Sequence, residues 1–353
     1  MPAVMTLADT LARLTKEGEL YEKLPNRRVR CYACGHRCLI PEGRQGVCRV
    51  RFNKGGVLRV PTGYVSALQV DPVEKKPFYH ALPGSLALSF GMLGCDLHCG
   101  YCQNWLTSQA LRDPAAVSPP ELVGADDLVG MAERYHAPIV ASTYNEPLIT
   151  SEWAVEIFRL AKAHGLKTAY ISNGNGTPQV LDYLKPWVDL YKVDLKGFND
   201  ANYRKLGGVL GHVLDTIKLL VEKRFWVEIV TLVVPGFNDS DKELTKIAEF
   251  LASVSVDLPW HVTAFRQDYK MSDHADTAPA TLLRAADIGK KAGLHYVYAG
   301  NLPGHVGSHE NTYCHACRTL LIERRGYAVL KNTLQKGACP TCHTPIPGVW
   351  NSL

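Results

Sequence analysis

No run of about 18 apolar residues, the length a membrane-spanning helix needs, occurs in the 353-residue chain, so no membrane span is expected. The first residues, Met1 to Leu14, lack the basic start and unbroken apolar stretch of a secretion signal, and a cytoplasmic location is expected. An excess of charge of one sign is missing too. Lys plus Arg number 39 against 34 for Asp plus Glu, too small a surplus to imply a polyanion partner. The local run of Arg27, Arg28 and Arg30 reads as a solvated face rather than as a nucleic-acid surface. Tandem repeats and low-complexity segments are absent, while 46% hydrophobic content suffices for one large core with smaller attachments.

Cysteine is what the chain has in quantity, and none of its eleven cysteines stands alone. Cys31, Cys34, Cys38 and Cys48 form a first group, Cys95, Cys99 and Cys102 a second, and Cys314, Cys317, Cys339 and Cys342 a third. In a reducing compartment such groups are read as metal ligands, not disulfides. A structural zinc closes with four ligands, whereas three leave one metal position open for another molecule.

Leu7 to Leu24 has apolar residues at helical spacing and reads as a short amphipathic helix that Gly18 interrupts. Strands are expected over Leu86–Phe90, Ile139–Ser142, Thr168–Ser172, Val188–Asp194, Trp226–Val234, His261–Phe265 and His295–Ala299. Helical segments alternate with them: Asp126–Tyr135, Glu152–Ala163, Val180–Leu184, Val213–Glu222, Asp241–Ala252 and Thr281–Gly289. This alternation predicts a parallel α/β architecture, a partial or open barrel whose chemistry sits at the carboxyl ends of the strands. The expected division is an N-terminal helix and four-cysteine module over 1–70, the barrel over 71–305, and a C-terminal cysteine module over 306–353.

The second group lies in Gly94-Cys95-Asp96-Leu97-His98-Cys99-Gly100-Tyr101-Cys102-Gln103-Asn104-Trp105. Three thiolates at this spacing suit one iron–sulfur cubane with a free iron, or a catalytic zinc for which His98 is a further candidate ligand. The segment closely resembles the radical S-adenosylmethionine (SAM) motif, cysteine-x3-cysteine-x2-cysteine with an aromatic before the last cysteine, here Tyr101. That resemblance implies a partial (β/α)6-type barrel and a [4Fe–4S] cluster on Cys95, Cys99 and Cys102. It also implies reductive cleavage of SAM to a 5′-deoxyadenosyl radical that abstracts hydrogen from an unidentified protein or small molecule.

Further segments fit the same family. Thr143-Tyr144-Asn145-Glu146-Pro147 resembles its Gly-Gly-Glu-Pro segment, with Glu146 set to bind the methionyl ammonium. Ser172 and Asn173 correspond to a Thr-Asn-Gly-like segment and are expected near the cofactor's methionyl or ribose part. Asp194-Leu195-Lys196 resembles the Asp-x-Lys feature of glycyl-radical activating enzymes, which implies that Lys196 neutralises the methionyl carboxylate and that Asp194 orients Lys196 or holds a cation. His261 matches a strand histidine that approaches the adenosyl group.

Cys314-x2-Cys317 and Cys339-x2-Cys342 read as a zinc ribbon, whereas Cys31-x2-Cys34-x3-Cys38-x9-Cys48 suits zinc or an auxiliary iron–sulfur cluster equally. Across nearly the whole chain the motif order resembles the radical enzyme group of the AmmeMemoRadiSam system, itself similar to pyruvate formate-lyase activating enzymes. The resemblance implies association with AMMECR-type and Memo-family proteins, and an external one-electron donor such as flavodoxin or ferredoxin. Two alternatives stay open: a glycyl-radical activating enzyme, and a non-enzymatic zinc-stabilised binding protein.

Overall fold

Eight short strands, rich in β-branched and small apolar residues and separated by amphipathic helices, form the main sheet of the computed structural model, which describes residues 6–351. The outermost ends of the expected terminal modules, residues 1–5 and 352–353, lie outside the described residues. The strands are β1 (Ala67–Pro72), β2 (Leu86–Gly91), β3 (Ile139–Ser142), β4 (Lys167–Ser172), β5 (Leu190–Asp194), β6 (Trp226–Val233), β7 (Trp260–Ala264) and β8 (Val297–Gly300). They lie side by side in chain order; β1 runs antiparallel to β2 and all others are parallel.

Helices α1 (Ala125–Arg134), α2 (Ser151–Ala163), α3 (Pro178–Leu184), α4 (Leu210–Glu222), α5 (Asp241–Val254) and α6 (Pro279–Lys291) follow β2 through β7 in turn. Helix α5 shows why these segments are helical. The Ser240 hydroxyl accepts from the Glu243 amide at 3.3 Å, capping the first turn, and Leu244, Ile247, Ala248 and Leu251 recur at helical spacing on one wholly buried face. Each buried Leu or Ile contributes about 1.5–3 kcal/mol. Mixed α/β with a large, mostly parallel sheet is thus the observed class, and the expected strands and helices occur within a few residues of their expected bounds.

Two expectations change. Only Leu7–Arg13 of the expected 7–24 helix is helical; Thr15–Glu17 pairs antiparallel with Val57–Pro61, and Tyr21–Leu24 with Arg28–Cys31. A distant strand partner for Thr15–Glu17 and a hairpin partner for Tyr21–Leu24 override the local helical spacing there. Strand β1 was not expected at all, because Ala67-Leu68-Gln69-Val70-Asp71-Pro72 alternates weakly and ends in proline.

The edge strands β1 and β8 are not bonded to each other. The seam between them is filled by residues 73–82 and by the C-terminal module. Arg324 is buried there, donating to the Tyr79 carbonyl at 2.7 Å and to Thr312 Oγ1 at 2.8 Å, with Glu74 at 3.6 Å. Thr312 in turn bonds Tyr298 Oη at 2.9 Å, and Tyr298 bonds His80 Nε2 at 2.6 Å. His80 Nδ1 lies 2.6 Å from the Pro347 carbonyl, which can only accept. Neutral His80 therefore carries its proton on Nδ1 and accepts from Tyr298 on Nε2, and one directional chain of hydrogen bonds crosses from module to sheet.

Burial, the largest influence, pushes the His80 pKa down to about 4. A histidine whose folded pKa is depressed contributes stability that is present above its unfolded value of 6.5 and lost as pH falls through about 4. The expected contribution is on the order of 3 kcal/mol. Unfolding free energies of wild type and His80→Gln, compared from pH 7 to pH 4, should converge as the pH drops; a constant difference would refute the assignment.

Candidate active site and metal centres

The carboxyl ends of β2 to β8, with the segment after β1, enclose a cavity of about 630 Å³. Cys95, Cys99 and Cys102 line it on the loop that follows β2. Gly91 ends that strand where an added Cβ would stand 2.6 Å from the Thr143 carbonyl oxygen, so only glycine lets the β2 and β3 loops approach this closely. The sulfurs receive polar partners: the Leu97 amide at 3.3 Å from Cys95 Sγ, and Ser108 Oγ at 3.2 Å from Cys102 Sγ. Burial pushes the Cys99 thiol up to about 12, against the opposing pull of Lys196. His98 is exposed and turned onto Gly207, away from the cavity.

Glu146 is 3% exposed at the cavity wall. Its Oε1 accepts from Ser172 Oγ at 2.7 Å and from the Leu148 amide at 3.1 Å; its Oε2 accepts from the Asn173 amide at 2.7 Å. Among the described residues it has no cationic partner. Burial, then the Asp96 carboxylate, push its pKa up to about 8, as expected for a desolvated acid lacking a counter-charge. Asp96 is itself held by Asn173 Nδ2 and Asn175 Nδ2, each at 2.7 Å. Ser172 thus reaches Glu146 rather than the cavity, while Asn173 lines the cavity and holds both carboxylates. Tyr144 adopts φ +69°, the left-handed region a glycine would favour, so this turn keeps a glycine-like backbone where the family segment has glycines.

Lys192 and Asp194 share one side of β5 by strand alternation, and they line the cavity together with Lys196, two residues past the strand's end. Lys192 Nζ donates to Asp194 Oδ1, and Lys196 Nζ lies 3.7 Å from Asp194 Oδ2. Burial alone would raise the Asp194 pKa, but the two lysines outweigh it and hold it low. Two cations against one carboxylate leave a net positive edge. Lys192 was missed by the sequence analysis although the same period-2 alternation marks it. Lys76 was also missed; it is buried beside Asp71 at 2.9 Å and Tyr144 Oη at 3.1 Å, and nothing in its local sequence points to the cavity.

His261 lines the cavity, but its Nε2 lies 2.7 Å from Glu228 Oε2, and its ring stacks on Tyr298 at 5.1 Å and meets Tyr79 edge-on at 4.7 Å. Glu228 also accepts the Tyr79 and His80 amides at 2.9 Å each and Trp226 Nε1 at 3.1 Å. This carboxylate ties His261 to the cavity's scaffold through Nε2. Tyr101 is buried edge-on to Phe237 at 5.6 Å.

In the C-terminal module, Cys314, Cys317, Cys339 and Cys342 bring four sulfurs within 4.8 Å of one another. The Cys314–Cys342 and Cys317–Cys339 sulfur pairs are 3.6 Å apart, close to the edge of about 3.8 Å that a tetrahedral zinc with bonds of about 2.3 Å requires. The two knuckles repeat each other. Arg318 and His343, each following the second cysteine, have φ of +63° and +60°, and Thr319 and Thr344 each place Oγ1 3.2 Å from the preceding cysteine sulfur. A centre able to bind a metal is therefore present here. Among the described residues neither the central triad nor the N-terminal four cysteines forms such a tight group.

A profile described as the Radical SAM superfamily matches residues 91–251. An uncharacterized protein of Methanocaldococcus jannaschii is 38% identical over 311 residues, 88% of this chain and 91% of that protein. The pyruvate formate-lyase 1-activating enzyme of Escherichia coli is 28% identical over 226 residues, 58% of this chain and 89% of its own. The choline trimethylamine-lyase activating enzyme of Oleidesulfovibrio alaskensis is 29% identical over 157 residues, 44% of this chain and 46% of its own. This chain belongs to the Radical SAM superfamily of enzymes and is related to the activating enzymes of the pyruvate formate-lyase type.

Proposed function

We propose that the chain holds a [4Fe–4S] cluster on Cys95, Cys99 and Cys102 and binds SAM in the same cavity, and that it activates a partner enzyme by forming a glycyl radical on it. The observation that carries the binding reading is Glu146, a buried carboxylate with three donors and no cation, beside the net positive Lys192–Asp194–Lys196 edge. Together they match the ammonium and carboxylate of a methionyl group. The donor set also fits the cluster: three buried or half-buried thiols on one loop.

Bound together, the two groups supply one-electron cleavage of a carbon–sulfur bond and a radical for hydrogen abstraction. The chain's own residues do the positioning. Glu146 takes the ammonium, Lys196 the carboxylate, and Asp194 fixes the lysine. The largely buried walls keep water from the reacting carbon. Activation of a partner is favoured over a small-molecule substrate by the Escherichia coli and Oleidesulfovibrio alaskensis relatives, which carry activating-enzyme names and match 58% and 44% of this chain. Zinc at the C-terminal four cysteines, and the narrower AmmeMemoRadiSam assignment with its AMMECR-type and Memo-family partners, belong to the same proposal.

Anaerobic reconstitution tests it. The triad should take up about four irons, and reduced protein should release 5′-deoxyadenosine from SAM, both lost in the Cys95/Cys99/Cys102 triple alanine variant. Cluster-loaded protein that neither binds nor cleaves SAM refutes the reading. Label transferred into 5′-deoxyadenosine from a small molecule, and from no deuterated glycine of a polypeptide, would refute partner activation alone.

A further inference from the structure

Two buried lysines of the cavity are left over once Glu146 and Lys196 have met the ammonium and carboxylate of SAM. Lys76, on the segment after β1, and Lys192, inside β5, are each 5% exposed, and both line the cavity. An ammonium brings three N–H donors. Lys76 directs one to Asp71 Oδ2 at 2.9 Å and one to Tyr144 Oη at 3.1 Å, and its Nζ stands 4.9 Å from the centre of the Tyr144 ring. Lys192 directs one to Asp194 Oδ1. One donor of Lys76 and two of Lys192 are therefore unanswered among the described residues, and a buried donor without an acceptor is costly.

The carboxylates nearby are already spent. Strand register sets Lys192 between Ile171 on β4 and Glu228 on β6, all three on one face of the sheet. Each Glu228 oxygen meets two partners: the His80 amide and Trp226 Nε1 at Oε1, the Tyr79 amide and His261 Nε2 at Oε2. Asp194 is shared by Lys192 and Lys196, as Asp71 is shared by Lys75 and Lys76. Lys75 is 47% exposed and water answers its charge, whereas Lys76 and Lys192 face only the cavity's contents. Burial, the largest influence, holds the pKa of both lysines low, and the charge of Lys192 adds to the effect on Lys76. An anion reaching both ammonium groups relieves this repulsion and takes up the free donors.

A carboxylate suits the place, since it offers two acceptor oxygens on one charge, one for each lysine. Lys192 stands two residues before the end of β5, deeper in the barrel than Lys196, which is assigned to the methionyl carboxylate. The two anions thus have separate seats. We propose that Lys76 and Lys192 bind a carboxylate of the polypeptide that receives the radical, either an acidic side chain beside its glycine or a carboxyl terminus. This rests on the partner activation proposed above and specifies what the partner carries.

Full-length protein, reconstituted with iron and sulfide and saturated with SAM, is offered three mixtures of short peptides with a central deuterated glycine. The first has Asp beside the glycine and an amidated terminus, the second Asn and a free carboxyl terminus, the third Asn and an amidated terminus. Retained peptide is measured by mass spectrometry. The first or the second mixture should be retained about tenfold better than the third, and whichever is preferred identifies the source of the carboxylate. In Lys76→Met, where Asp71 keeps Lys75, the preference should fall severalfold while calorimetric SAM affinity stays at the wild-type value. Wild type that retains all three mixtures equally, or none of them, overturns the proposal, as does a preference that survives undiminished in Lys76→Met. A tenfold loss of SAM affinity in that variant also overturns it, because the lysine would then serve SAM. A carboxylate preference that is present and lost as expected, with no deuterium passing from a retained glycine to 5′-deoxyadenosine, would instead count against partner activation.

Discussion

Replacing Glu146 with Gln is expected to weaken SAM binding ten- to a hundredfold, while the iron bound by the triad stays unchanged. The amide is nearly isosteric, and its one oxygen in the Oε1 position can still accept from Ser172 and the Leu148 amide; only the Asn173 amide loses its acceptor, so the turn after β3 should persist. What disappears is the negative charge that Glu146, with a pKa of about 8 in the SAM-free protein, takes on when it faces the ammonium. A hydrogen bond to a charged group contributes about 1.5–3 kcal/mol, which converts to the stated range. Ser172→Ala should give a smaller loss, since Ser172 acts through Glu146. Calorimetric titration of reconstituted protein with SAM checks both; unchanged affinity in Glu146→Gln would remove this carboxylate from the binding site.

The second large effect concerns stability. Arg51→Met should cost about 3–5 kcal/mol, because it leaves the buried Glu152 carboxylate without its cation. Arg51 and Glu152 are 1% and 0% exposed, and the same carboxylate also accepts the Glu19 and Leu20 amides at 3.2 and 3.3 Å. The pair thus fastens the N-terminal strands to the first turn of α2. Replacing both ends, Arg51→Met with Glu152→Leu, should recover part of the loss, limited by the two amides left unpaired. Urea unfolding of the full chain measures the difference, and a cost below about 1 kcal/mol in the single variant would show that water reaches the site.

The site was legible in sequence where its residues stand at strand ends. Glu146, Asp194 and Lys196 follow short apolar runs and precede Pro147 or Gly197, so the strand-to-loop boundary marks them. Lys192 obeys the same alternation and was open to the same reading. Glu228 was a visible anomaly, one carboxylate inside Trp226–Val233, but three of its four donors come from another strand and the turn over residues 79–80, and only Trp226 is local. Arg51 and Glu152 stand 101 residues apart, and the seam contacts of Arg324 and His80 span more than the whole sheet. Patterns of period 2 or 3.6 report which face is buried; they do not report which buried charges meet. The N-terminal strands stayed hidden for a related reason, since a strand of three residues depends on its partner more than on its own composition.

The seam between β1 and β8 has a consequence for the order in which the protein is made. The last strand of the sheet is complete at Gly300, whereas the contacts that close the seam come from Thr312, Arg324 and Pro347. A ribosome that has delivered every strand has therefore not yet delivered a closed cavity. Until those later residues emerge, two sheet edges lie open to pairing with other chains, and a chain cut short near residue 305 would carry its whole three-cysteine loop in a form prone to aggregate.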